Sequence, residues 1–133
     1  MKIKCIRKKP TDNQIVKLGG RYNNNQKFDI TIGNIYTVLS IQYLYESTFF
    51  GTGIIVQIKD DYQHLSFIPI CLFDIVDSRV SKYWEVFDRG DGEIQLCPPS
   101  FNKKYYHDDL SEGVPDIVED FKRVCSLLDA EHD

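Results

Sequence analysis

Short apolar runs separated by polar turn residues recur along most of the first hundred residues, a pattern that predicts strands. Ile3 and Cys5 alternate with lysines in a half-buried strand, and Pro10 ends it. The longest run, 35–45, is rich in β-branched and aromatic side chains, which favour strands. The residues expected on one face of that strand are Ile35, Leu39, Ile41 and Tyr43.

Shorter apolar runs follow, and each is bounded by residues that favour turns. Asp88-Arg89-Gly90-Asp91-Gly92 is the strongest of these turn signals and predicts a hairpin. The stretch 11–27 is instead polar, with at most a short element near 15–18, and is long for a connection in a compact domain. The further runs that predict strands are 54–58, 64–68, 72–76, 83–87 and 93–97.

The apolar period changes near the C-terminus, where it predicts a helix. Pro115 suits the first helical position, because the N–H that proline lacks has no partner there in any helix. Spacings of three and four residues place one apolar stripe along about four turns, and the stripe should pack on the sheet. Its members are Val114, Ile117, Val118, Phe121, Val124, Cys125 and Leu128.

These elements predict an α+β fold, mainly β: a small, strongly bent antiparallel sheet or barrel with a C-terminal helix packed on it. We expect a single domain over 1–133. Its parts are a basic strand and polar loop (1–30), a β core (31–97), a loop (98–113) and the helix (114–130).

Composition narrows the class of protein. The chain has 133 residues, of which 42% are hydrophobic, enough for a packed core. No apolar run is long enough to span a membrane, and no signal peptide precedes the first strand, so we expect a cytoplasmic protein. The four cysteines are widely spaced and lie in apolar contexts, which favours buried free thiols over a zinc site. No cofactor or metal is expected.

The sequence offers little catalytic chemistry. His107 precedes Asp108 and Asp109, but no nucleophile or second closely spaced ligand accompanies them, so we interpret the segment as a solvated loop. The acidic turn 88–93 lacks the ligand spacing of a calcium loop. Phosphate-binding glycine loops and nucleophile elbows are absent as well. We therefore expect a protein that is not an enzyme.

Charge is sorted by position. Residues 1–30 hold eight basic residues and two acids, whereas 107–133 hold nine acids and two basic residues, within a net charge of −4. Negative charge in the first turn of a helix is stabilising, but that does not explain the acids before and after it. Solubility and docking of a basic partner both remain open. The residues expected to bind a partner are Asp108, Asp109, Glu112, Asp116, Glu119 and Asp120, then Asp88, Asp91 and Glu93.

Two other binding functions are alternatives. The basic N-terminal third could bind single-stranded nucleic acid, with Tyr22 and Phe28 stacking on bases between the lysines, but the overall acidity makes nucleic acid an unlikely partner. The chain could instead bind a peptide or protein through exposed aromatic residues. Those aromatic candidates are Tyr43, Tyr45, Phe49 and Trp84.

Two segments resemble a known fold family. Thr31-Ile32-Gly33-Asn34-Ile35-Tyr36-Thr37-Val38 is similar to the opening of many small bacterial SH3-like barrels. The segment 68–77, with Ile68-Pro69 and Leu72-Phe73-Asp74-Ile75-Val76-Asp77, is similar to the segment with which the chain leaves those barrels. Together these segments delimit about a third of the chain, and the resemblance implies an SH3-like barrel.

A small acidic chain with a packed core and a concentrated anionic face also resembles bacterial immunity proteins, including SH3-like members of the contact-dependent growth inhibition group. The resemblance implies stoichiometric inhibition of a cognate toxin domain, often a basic nuclease. The acids named above would then pair with toxin lysines and arginines that otherwise grip phosphates.

Overall fold

The computed structural model describes residues 1–19, 22 and 26–132. The remaining residues, among them Arg21 of the basic third, the asparagines 23–25 and the acid Asp133, lie outside the described part. The elements are β1 Lys2–Cys5, α1 Asp12–Lys17, β2 Ile35–Thr37, β3 Ser40–Ser47, β4 Gly51–Lys59, β5 Leu65–Pro69, β6 Phe73–Asp77, β7 Glu85–Gly90, β8 Glu93–Cys97, α2 Tyr106–Ser111 and α3 Pro115–Ala130. Short 3-10 turns cover Ile70–Leu72 and Pro99–Asn102.

The strands form two antiparallel sheets, so the α+β, mainly-β prediction is confirmed. The small sheet has the order β2-β1-β6, and the larger sheet has the order β5-β4-β3-β8-β7. Within the described residues the two sheets are not closed into one hydrogen-bonded barrel. The predicted hairpin is present as β7 and β8, joined around Gly90–Glu93.

The long strand expected over 35–45 is broken in the middle. β2 ends at Thr37 and pairs with β1, while β3 starts at Ser40 and pairs with β4 and β8. Val38 and Leu39 between them are each only 1% exposed, which a regular strand with one solvated face does not allow. The break reverses the alternation, so the prediction of one shared face is wrong: Ile35 is exposed whereas Leu39 is buried.

One hydrophobic core fills the space between the small sheet and the large one. Side chains of β1 and β2 pack there against Val56, Ile58 and Ile68, which share one face of the large sheet. This first core also takes in Tyr22, Phe28 and Ile30 from the segment before β2. The polar N-terminal stretch therefore supplies apolar anchors that its composition does not suggest.

A second core lies on the other face of the large sheet, beneath the helices. Phe121, Val124, Cys125 and Leu128 of α3 are buried, as the apolar stripe predicts. They pack with Leu39, Cys97, Phe101 and Tyr106. The α3 helix begins at Pro115, the expected first position.

Trp84 belongs to both cores, because it packs against members of each. Its indole N–H donates to the carbonyl of Leu39 at 2.9 Å, at the break between β2 and β3. The expectation that Trp84 is an exposed peptide-binding residue is therefore wrong. Trp84 is half-buried, and its one donor is satisfied by a backbone carbonyl, as is usual for a structural tryptophan.

Two connections contain more structure than the sequence indicates. The segment 98–113, expected to be a loop, holds a 3-10 turn and helix α2. Within 11–27, α1 starts with a capping box in which Thr11 and Gln14 exchange hydrogen bonds. Among the described helices, none has the length and apolarity needed to cross a membrane.

Candidate functional site

Four of the acids expected to bind a partner lie exposed on two consecutive helices. Asp108 and Glu112 are four residues apart, on α2 and its C-cap. Asp116 and Glu119 are three residues apart on α3. None of these four carboxylates forms an ion pair with a described residue. We call them the acidic helix surface.

Asp109 and Asp120 are half-buried, and Asp120 has an internal role. Its carboxylate accepts hydrogen bonds from the Tyr106 hydroxyl at 2.9 Å and from the Arg123 guanidinium at 2.8 Å. Burial alone would raise the pKa of Asp120, but the hydrogen bonds from Arg123 and Tyr106 outweigh it and hold that pKa below its usual value. Asp120 thus ties α3 to α2.

The hairpin acids lie apart from the acidic helix surface. Asp88 is paired with Ile94, so both project from the face of the large sheet opposite to the helices. Asp91 is exposed in the turn itself. The carboxylate of Glu93 accepts a hydrogen bond from the backbone N–H of Tyr45 at 2.8 Å, which fixes the end of β3.

The features proposed for nucleic-acid binding are separated in the structure. Lys8 and Lys9 are exposed, but Tyr22 and Phe28 are buried in the first core, at 6% and 7% exposure. Buried rings cannot stack on bases, so the expectation of interleaved stacking residues is wrong for these two.

An exposed apolar patch lies on the face of the large sheet that carries Asp88. Tyr43 of β3 is flanked by Ile54 of β4 and Ile94 of β8, and all three side chains are exposed. Tyr45 and Phe49, expected to be exposed, are so. We call Tyr43, Ile54 and Ile94 the apolar sheet patch.

A chain of polar side chains crosses the large sheet beneath the helices. The Arg89 guanidinium donates to Gln95 Oε1 at 2.7 Å, and Gln95 Nε2 lies 3.4 Å from Ser40 Oγ. Ser40 Oγ is 2.7 Å from Gln57 Oε1, and Gln57 Nε2 is 2.8 Å from His107 Nε2. Ser40, Gln57 and Gln95 are each at most 6% exposed. We call these five residues the polar relay.

The direction of every hydrogen bond in the relay follows from one end. A guanidinium can only donate, so Gln95 accepts with its oxygen and donates with its amide nitrogen. The Ser40 hydroxyl therefore accepts from Gln95 and donates to Gln57 Oε1. The amide nitrogen of Gln57 then donates to His107. Since Gln57 donates to Nε2, that nitrogen must be unprotonated, and the proton of the neutral ring sits on Nδ1. In the sequence, the one sign of this network is Gln57, a polar residue within the apolar run 54–58.

The interpretation of the segment around His107 as a solvated loop is therefore wrong. The residue lies on α2, half-buried, with its ring 5.9 Å from that of Phe101 and 6.1 Å from that of Phe67. Burial lowers the pKa of His107 below its ordinary value of 6.5, Asp108 opposes this shift, and Arg89 adds to it. Burial therefore favours the neutral form of the imidazole.

His107 also lines a cleft of about 790 Å³ between the β4–β5 end of the large sheet and helices α2 and α3. The turn between β4 and β5 that borders this cleft is held by the buried Asp60 side chain. Its Oδ1 accepts from the backbone N–H groups of Tyr62 and His64, at 2.9 and 3.0 Å. The cleft is thus bounded by ordered elements on both sides.

The described residues contain no group of three or more side chains suited to holding a metal ion, and all four cysteines are free thiols. Searches against protein-family models, curated proteins and solved structures found no match to the chain. Its function is therefore inferred from the geometry and charge of the described residues.

Proposed function

We propose that this protein is an immunity protein that binds a basic toxin domain through the acidic helix surface. The observation that carries the proposal is the absence of ion-pair partners, among the described residues, for Asp108, Glu112, Asp116 and Glu119. Asp108 and Asp116 lie in first turns of helices, where negative charge favours folding. Glu112 and Glu119 have no such role.

Charge complementarity explains why such a surface suits a nuclease-type toxin. Exposed carboxylates steer a basic partner into contact and then pair with the lysines and arginines that would otherwise bind phosphates. We propose an interface made of fewer acids than the sequence suggests, because Asp120 and Glu93 hold internal hydrogen bonds and Asp88 projects from the opposite face. We also propose that the fold is SH3-like, because the segments 31–38 and 68–77 resemble those of SH3-like barrels.

The test is a growth-rescue experiment with the C-terminal domain encoded by the gene immediately upstream. We expect that domain to arrest growth and the wild-type protein to restore it. The double variant Glu112→Lys/Glu119→Lys should lose rescue, with binding weakened about 100-fold by two reversed pairs, while retaining its circular dichroism spectrum.

The matched control is Asp88→Lys/Asp91→Lys, which makes the same charge change on the hairpin. It should rescue as well as wild type. Rescue by the helix variant at wild-type level would contradict the assignment of the acidic helix surface. An upstream domain that has no toxicity, or whose toxicity the wild-type protein does not relieve, would contradict the immunity function.

A second candidate function, a protein-binding module, is favoured by the apolar sheet patch. Exposed apolar side chains on three neighbouring strands often mark an interaction surface. Under this alternative, Tyr43→Ser/Ile94→Ser would abolish binding of the same upstream domain, the wild-type complex would be insensitive to salt, and Glu112→Lys/Glu119→Lys would bind normally.

A further inference from the structure

The cleft beside His107 combines an apolar interior with positive charge. Leu65 and Phe67 of β5 line one side, while Leu110, Val118 and Phe121 of α2 and α3 line the other. A volume of about 790 Å³ is within the range of sites that enclose a small organic molecule. The aromatic rings of Phe67 and Phe121 offer flat surfaces to an apolar ligand.

The charges that line the cleft have one sign. Lys59 and Lys122 supply the positive charge, no described Asp or Glu lines the cleft, and the imidazoles of His64 and His107 are part of its polar lining. The chain has 20 acids against 16 lysines and arginines, so a lining with two lysines and no carboxylate contrasts with the surface around it. Neither lysine forms an ion pair with a described residue. Their charges are available to a ligand.

The polar relay adds a fixed hydrogen-bond donor. Because Gln57 donates to Nε2 of His107, the ring carries its proton on Nδ1. No hydrogen bond from Nδ1 to another described residue is present. A donor oriented by the three buried side chains of Gln57, Ser40 and Gln95 loses little entropy when it binds a ligand, which is the physical advantage of a preorganised site.

We propose that the cleft binds a small amphipathic carboxylate, with its apolar body between Phe67 and Phe121 and its anionic group neutralised by Lys59 and Lys122. The Nδ1–H of His107 donates a hydrogen bond to the ligand. The site is separate from the acidic helix surface, since Asp108 and Glu112 do not line the cleft.

Three probes of nearly equal shape test the charge preference: 2-naphthoate, 2-naphthylmethanol and 2-naphthylmethylammonium. Titration of the wild-type protein, followed by calorimetry and by amide chemical shifts, should show the order carboxylate, alcohol, ammonium. We expect the carboxylate to bind at least ten-fold more tightly than the ammonium, with shifts at Leu110, Val118 and Phe121. Decanoate, tested in parallel, distinguishes an aliphatic from an aromatic body.

The variant Lys59→Gln/Lys122→Gln should weaken binding of 2-naphthoate roughly ten-fold and leave 2-naphthylmethanol unchanged. The matched control, Lys103→Gln/Lys104→Gln, removes two charges that do not line the cleft and should change neither. Equal affinities for the three probes, or an equal loss in both double variants, would overturn the proposal. Absence of binding by any probe at millimolar concentration would overturn it as well, whatever the result of the rescue experiment.

Discussion

At the scale of single residues, the polar relay is the most constrained feature of the molecule. Burying Gln57 and Gln95 without partners would cost about 1–3 kcal/mol for each unsatisfied group. The relay avoids that cost because Gln95, Ser40 and Gln57 each accept from one neighbour and donate to the next. Because Arg89 can only donate, it determines which ring nitrogen of His107, at the other end of the relay, carries the proton.

This arrangement makes stability depend on pH in a definite direction. The folded-state pKa of His107 is lower than its unfolded value near 6.5. Below that value the unfolded chain takes up a proton before the folded protein does, so the free energy of unfolding falls as pH drops through 6.5. We expect wild type to lose more stability than His107→Gln between pH 7 and pH 5 in urea denaturation. Carboxylates titrate in both proteins, so their contribution cancels in the difference.

The contribution of the relay to the lowered pKa of His107 is tested by Arg89→Met, which keeps the apolar stem of the side chain and removes the donor. Loss of both the relay direction and the nearby positive charge should raise the pKa of His107, measured by the ring-proton chemical shifts. Arg79→Met, which disrupts an ion pair with Asp77 instead, is the matched control and should leave that pKa unchanged. Equal shifts, or parallel pH profiles for wild type and His107→Gln, would contradict the relay.

At the scale of elements, α1 is held against the hairpin that joins β3 and β4. The N–H of Thr52 donates to the carbonyl of Leu18 at 2.8 Å. Gly51 beside it has φ +70°, and a Cβ there would lie 1.8 Å from that same carbonyl oxygen. The close approach of two backbones thus requires glycine at this position.

Gly51→Ala should therefore destabilise the protein by more than about 3 kcal/mol. The reason is that α1 must move away and the alanine must adopt a left-handed backbone conformation. Gly92→Ala is the matched control: its φ of +82° is similar, but its Cβ would meet nothing within 4 Å. For Gly92→Ala we expect a loss of stability of only about 1–2 kcal/mol. Urea denaturation of the two variants gives the comparison. Equal losses would mean that the contact between α1 and the hairpin is not maintained in solution.

At the scale of the whole molecule, the two cores are joined through the break between β2 and β3. Val38 enters the first core and Leu39 the second, although they are adjacent in the chain. Trp84 contacts both cores and binds the Leu39 carbonyl. Loss of either core removes packing from the other, which favours cooperative unfolding.

Trp84 is the single tryptophan, so its fluorescence reports on this junction. We expect fluorescence and far-ultraviolet circular dichroism to give the same urea midpoint. Trp84→Ala should cost about 3–5 kcal/mol, as large-to-small core substitutions do. Separate midpoints for the two signals would show that the sheets unfold independently.

The sequence by itself determined the elements whose cause is local. Apolar runs bounded by turn residues predicted most strands, Asp and Gly at 88–92 predicted the hairpin, and Pro115 with the apolar stripe predicted α3. The free cysteines and the exposure of Asp116 and Glu119, which lie off the apolar stripe of α3, also follow from spacing and period.

Only the tertiary structure decided which of the remaining residues come together. The break at Val38–Leu39, the burial of Tyr22, the packing of Trp84 against both cores, and the helix that carries His107 depend on contacts distant in sequence, which no local period encodes. The polar relay joins five elements, and its members satisfy one another only when the sheet is assembled and α2 is packed on it. Exposed charge is readable from the chain, whereas a buried polar network and the cleft beside it exist only in the fold.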